Sequence, residues 1–115
     1  MADINLDRSG EVNWTAKRGD TFAPMPVEFL IDGEPEVFAG SSVKAQIRKN
    51  GAFILELIEG DGIEIQDNKI QYNIPAPITA ELAPAVYEYD VQKITGAIVS
   101  TIQYGTIKLT QDKTI

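Results

Sequence analysis

The sequence predicts an all-β protein, and three observations carry that prediction. Ile and Val together number 22 against six Leu, and β-branched residues favour strands because their restricted χ1 suits a pleated surface. Turn signals recur about every ten residues, the spacing of short strands in a sandwich or barrel. They are Arg18-Gly19-Asp20, Asp32-Gly33, Gly40-Ser41, Asn50-Gly51, Gly60-Asp61-Gly62, Asp67-Asn68, Thr95-Gly96 and Gly105. Between them apolar and polar residues alternate with a period of two, and little supports a helix.

Taken in order, Val12, Trp14 and Ala16 share one face of a first strand. Val27, Phe29 and Ile31 do the same in a second, which starts no earlier than about Pro26 because Pro24 and Pro26 cannot donate ladder hydrogen bonds. That stretch belongs at a sheet edge or before the strand proper. Val43, Ala45 and Ile47 alternate with Lys44, Gln46 and Arg48, so one face is buried and the other is charged. Phe53, Leu55 and Leu57 continue this pattern, with Ile54 and Ile58 opposite, which covers the strand on both sides or adds it to a partner surface.

Ile63 to Ile74 reads as a hairpin. With Asp67-Asn68 at the turn, Gln66 faces Lys69, Ile65 faces Ile70 and Ile63 faces Tyr72. A slip by one residue would set apolar against polar, so the pattern fixes the register. Pro75 and Pro77 end the strand, and the residues that follow make at most one helical turn, near 77–82, tucking Leu82 under the sandwich. A strand from Tyr87 to Ile94 puts Tyr87, Tyr89 and Val91 on one face. In the last strand, Ile98 to Thr110, apolar residues change from even to odd positions around Gly105, which predicts a β-bulge there.

The 115 residues allow one compact domain, expected over 11–110, with a flexible arm at 1–10 and a tail at 111–115. Ten basic against 17 acidic residues give a net charge of −7, and Cys and His are absent. Disulfides, Cys/His zinc sites, thiol nucleophiles and imidazole-dependent triads are thereby excluded. The acidic balance and the scattered cations argue against nucleic acid. No apolar run approaches a membrane span, and Met1 to Gly10 is too polar for a signal peptide. The expectation is a soluble, non-enzymatic protein without cofactor or metal.

Four local patterns bear on chemistry. Arg18-Gly19-Asp20, the tripeptide of integrin ligands, reads as a strand-to-strand turn. Asp61, Glu64 and Asp67 do not have EF-hand spacing and read as solvated hairpin carboxylates. Ser41, Ser42 and Ser100 have no histidine to activate them. Trp14, Tyr72, Tyr87, Tyr89 and Tyr104 offer rings for a sugar-stacking face, but their strand positions favour a core.

One arrangement goes beyond fold class. Trp14 leads into Arg18-Gly19-Asp20-Thr21 and an edge-type strand to Ile31; Val37-Phe38-Ala39-Gly40 feeds the alternating run Val43 to Arg48. The hairpin, Leu82, Tyr87-Glu88-Tyr89-Asp90-Val91 and Gly105-Thr106-Ile107 follow in turn. Over about residues 12–110 this resembles the small β-sandwich structural proteins of tailed bacteriophages and prophages, and is similar to the N-terminal domain of siphophage baseplate upper proteins. Where those proteins often have Gly before the Tyr-x-Tyr strand, this chain has Ala85.

The resemblance implies a single Ig-like antiparallel β-sandwich of about 7–9 short strands. It also implies a virion building block, in the tail or baseplate rather than the head, made in the cytoplasm of the bacterial host. Its partners would be other virion proteins and copies of itself. With the sequence ending at Ile115, attachment and assembly are implied rather than the carrying of receptor-binding proteins. The expected contact surface is Trp14, Phe22, Pro24 and Pro26 with the acidic strand faces. The alternatives are a capsid decoration or head-fibre protein and, from another class, a carbohydrate-binding module touching host glycans.

Overall fold

The computed structural model describes residues 3–5, 10–31 and 33–111. The expected arm at 1–10 therefore lies only partly within the described residues, and positions 112–115 of the expected tail lie outside them. The strands are β1 (Asp3–Asn5), β2 (Gly10–Glu11), β3 (Trp14–Lys17), β4 (Val27–Ile31), β5 (Glu34–Pro35), β6 (Ser42–Lys49), β7 (Ala52–Glu59), β8 (Gly62–Gln66), β9 (Lys69–Tyr72), β10 (Ala85–Thr95) and β11 (Ile98–Thr110). One helix, α1 (Ala76–Glu81), lies between β9 and β10.

The all-β class holds, but two facing Ig-like layers are replaced by one sheet curled into a half-barrel. Its hydrogen-bonded order is β1-β4-β9-β8-β7-β6-β10-β11-β2, with β3 also on β11 and β5 on β4. The join that makes one sheet of it is a corner between β7 and β8. There Ile58 and Asp61 exchange main-chain hydrogen bonds (3.0 and 2.9 Å), and Gly60 N–H donates to Ile63 O (2.9 Å). The corner needs glycine at position 62, where φ is 103° and a Cβ would lie 2.6 Å from Leu57 Cδ2. Four pairings are parallel (β1 with β4, β7 with β8, and β2 and β3 with β11), so the ladder is mixed rather than wholly antiparallel. Eleven strands among the described residues, two of them long, exceed the number expected because the N-terminal segment contributes short pieces to both ends of the sheet.

The inner face is where alternation put it. Val27, Phe29, Val43, Ala45, Ile47, Leu57, Ile63, Ile70, Tyr72, Tyr87, Tyr89, Val91, Ile107 and Leu109 are all buried. Asn50 and Gly51 both take positive φ (52° and 82°), the two left-handed residues of a tight hairpin turn between β6 and β7. In the β8–β9 hairpin the register is Ile63–Tyr72, Ile65–Ile70 and Gln66–Lys69, as the sequence pattern requires. Asp67 takes the positive φ (56°) of its turn. Asn68 is buried, with its Nδ2 donating to Phe29 O (2.9 Å) and its main-chain O accepting from Phe29 N–H (2.9 Å).

Helix α1 sits at the expected turn but buries Thr79, while Leu82 just beyond it is half-buried against the core. Two strand irregularities differ from expectation. The register shift in β6–β7 leaves Ile54 as the extra residue and turns Phe53 outward to 61% exposure, off the face of Leu55 and Leu57. In β10–β11, Val91 pairs with Gln103 and Gln92 with Thr101, so the extra residue is Ile102. Pairing is regular through Gly105 and Thr106, opposite Tyr89 and Glu88. The expected bulge at Gly105 is thus corrected to Ile102, where the parity of β11 changes.

Gly105 has a different reason to be glycine. The chain at Val12–Asn13 crosses so close that a Cβ at position 105 would lie 2.1 Å from Val12 O and 2.8 Å from Asn13 Oδ1. Asn13 Oδ1 accepts from Thr106 N–H (2.9 Å), supplying the partner that the interrupted ladder lacks between β2 and β3. Gly105→Ala must therefore push the N-terminal strand off β11. We expect it to lower unfolding stability by about 3 kcal/mol, whereas Ser100→Ala on the exposed part of β11 changes it by less than about 0.5 kcal/mol. Urea unfolding of the two variants checks this.

Candidate assembly surface

The half-barrel is open on one side, and the segment after β3 forms one bank of the opening. The Lys17–Asp20 turn is closed by Asp20 N–H donating to Lys17 O (3.2 Å), with Gly19 at φ 89°. The chain then leaves β3 and joins the other end of the sheet, where Phe22 and Ile74 exchange main-chain hydrogen bonds (2.9 and 2.8 Å). Gln71 Nε2 donates to Pro24 O (2.7 Å), which fixes the bank further along. A groove of about 570 Å³ results, with Trp14 and Lys17 on the β3 side and Asp20, Phe22 and Pro24 on the other.

Three of the four expected contact residues therefore meet at this groove, and Pro26 does not; it borders a separate depression with Glu64 and Lys69. Phe22 is only 6% exposed, so it supports the bank from beneath. Met25, which follows Pro24 in the chain, is 67% exposed and lies outside every strand pattern.

Beneath the groove lies an aromatic cluster. Trp14 packs edge-on to Phe22 and Tyr72 (centroids 5.3 and 5.5 Å) and stacks on Tyr89 (5.0 Å, 19°). The hydroxyls of this cluster are joined through Gln103, which has no exposure. Tyr72 Oη donates to Gln103 Oε1 (2.7 Å), Gln103 Nε2 donates to Tyr89 Oη (2.8 Å), and Tyr89 Oη donates to Val12 O (2.6 Å). Each donor has an acceptor, which makes the burial of so polar a chain tolerable. Tyr87 is buried as well and donates to Ala83 O (2.6 Å). Of the five rings whose strand positions favoured a core over a sugar-stacking face, Tyr72, Tyr87 and Tyr89 are in the core, Trp14 is half-buried and Tyr104 alone is exposed.

The Arg18-Gly19-Asp20 turn is tied to α1. Arg18 Nε donates to Leu82 O (2.9 Å), Gly19 N–H donates to Thr79 Oγ1 (3.2 Å), and Thr79 Oγ1 donates to Asp20 O (2.7 Å). It serves as a structural turn, and its arginine is engaged on the helix end. Asp61, Glu64 and Asp67 are all exposed, and no group of three metal-ligating residues comes together among the described residues. No helix among the described residues is long and apolar enough to cross a membrane.

A second exposed apolar region was not found from the sequence. The β10–β11 hairpin carries Ile98 (68% exposed) and Val99 at its tip, and no charged residue lies between Lys93 and Lys108. The uncharged run was its available signal.

Burial, and then the neighbouring Tyr89, push the Tyr72 hydroxyl well above the ordinary tyrosine range. Burial likewise raises Tyr89, opposed by the Gln103 hydrogen bond and supported by Glu11. A phenol whose folded pKa is raised keeps its full contribution below the unfolded value, about 10, and loses it as pH climbs above that value. Unfolding stability should therefore fall from pH 9 to pH 11, and fall less steeply in Tyr72→Phe. Urea titrations across that range measure the two slopes.

No family model matches the chain, and no curated protein matches it by sequence. Among solved structures, its fold is similar to that of the N-terminal domain of phage TP901-1 ORF48, at a TM-score of 0.59 and 11% identity, over 96% of this chain and 95% of that one.

Proposed function

We propose that this chain is a non-enzymatic structural protein of a bacteriophage virion, a tail or baseplate component that works through protein–protein contacts. The observation that carries the reading is the likeness of fold to a phage domain over nearly the full length of both chains. On this reading the protein is made in the bacterial cytoplasm and incorporated into the virion beside other virion proteins and copies of itself.

The surface offers what such a role needs. An open sheet edge presents unpaired main-chain groups that pair readily with another chain, and here β3 borders an open groove. We assign Pro24, with the exposed Met25 beside it and the rim of Trp14, to the contact with a neighbouring virion protein. Phe22 holds this surface from below. A glycan-binding role is less well served, because Tyr87 and Tyr89, the rings proposed for it, are buried.

Light scattering of the purified protein, alone and mixed with the proteins encoded beside it, tests the reading. We expect a discrete larger complex with at least one neighbour, weakened about tenfold by Met25→Asp, the loss of one well-buried interface contact. Failure to join any neighbour would overturn the virion reading. A complex indifferent to Met25→Asp would overturn the assignment of the surface.

A further inference from the structure

The outer edge of β2–β3, whose β3 part also borders the groove, carries a pattern that the core does not use. Gly10 to Lys17 runs beside β11 in one constant register, from Gly10 opposite Gln103 to Lys17 opposite Thr110. Val12 N–H donates to Tyr104 O (3.0 Å) and Arg18 N–H to Thr110 O (2.9 Å), so the even-numbered residues turn their main-chain groups toward β11. By the period of a strand, Glu11, Thr15 and Lys17 turn theirs away from it. Among the described residues no strand pairs with that side. Lys17 O is occupied by Asp20 N–H; Thr15 sits where both of its main-chain groups face outward.

We infer that a second copy of this chain pairs antiparallel along this edge, about a two-fold axis at Trp14, so that Thr15 faces Asn13 and Lys17 faces Glu11 of the other copy. This register sets outward-turned residues opposite one another, as an antiparallel ladder requires. It also matches charge twice. Glu11 and Lys17 are exposed and project from the same face of the edge. They are six positions apart, too far along one strand to pair within a copy. Across the two-fold each meets the other's opposite charge, and the interface gains two cross-strand ion pairs by symmetry. In a chain of net charge −7, most apposed surfaces repel, so an edge that presents both signs in this order selects its own register.

The inference deepens the assembly reading by naming the self-contact, and it rests on that reading only for the role the dimer serves. Sedimentation equilibrium of the whole protein over a concentration series tests it. A reversible monomer–dimer equilibrium is expected. Glu11→Lys or Lys17→Glu alone would weaken it about tenfold, and the double exchange would restore it, because attraction becomes repulsion at two symmetric sites and then reverts. Thr15→Pro, which removes an outward N–H and leaves the β3–β11 ladder its donors, would abolish dimerisation; circular dichroism verifies that each variant is folded.

A monomer at every concentration overturns the inference, as does a dimer insensitive to both single charge reversals. A monomer that still joins neighbouring virion proteins would overturn only the self-pairing. A dimer that joins none of them would overturn the virion reading instead.

Discussion

The close passage of Val12–Asn13 over Gly105 is the contact on which the rest of this structure depends. A curled sheet that does not close has two ends to hold in place, and here the N-terminal segment runs from one to the other: β1 pairs with β4, while β2 and β3 pair with β11. The second attachment is possible only because Gly105 has no side chain to occupy the space of Val12 O. Once the strand is there, Trp14 reaches Phe22, Tyr72 and Tyr89. Phe22 in turn bonds to Ile74, and so the two ends of the half-barrel are packed onto one aromatic cluster.

Polar chemistry specifies this packing. An all-apolar centre would tolerate sliding of one strand against another, whereas the chain of hydrogen bonds from Tyr72 through Gln103 and Tyr89 to Val12 O is satisfied in one arrangement. The bulge at Ile102 is what turns Gln103 inward, since one extra residue moves every following side chain to the other face. Bulge, glutamine and glycine are thus three consequences of one requirement, the seating of the N-terminal strand.

How much of this was legible in the sequence follows from how local each signal is. The β8–β9 hairpin was readable to the residue pair because its partners are a few positions apart and its apolar residues face one another. Gly105 drew attention correctly, but its meaning lay with Val12, far away in sequence, and the parity change was attributed to the glycine when it belonged to Ile102. Phe53 fell on the wrong face because the bulge at Ile54 has no side-chain signature among four consecutive apolar residues. The burial of Gln103 was unreadable, since its partners come from two other strands. The two-layer expectation failed at the Glu59–Gly62 corner, which looks in sequence like any glycine turn. At the candidate surface, Pro24 was legible as an edge feature because proline cannot donate to a ladder, and Trp14 as part of the first strand. Pro26 went elsewhere, and Phe22 is consumed by its own hydrogen bonds to Ile74.

A protein that works through contacts, as proposed for this one, presents its function in edges and faces. The position of those edges depends on the N-terminal strand being an integral part of the fold. Native-state hydrogen exchange of the Val12 and Arg18 amides measures this most directly, because both donate to β11. The account predicts that they exchange only with global unfolding, at the same free energy as the amides of β10. Exchange of both at the rate of an unstructured chain, while β10 stays protected, would contradict it.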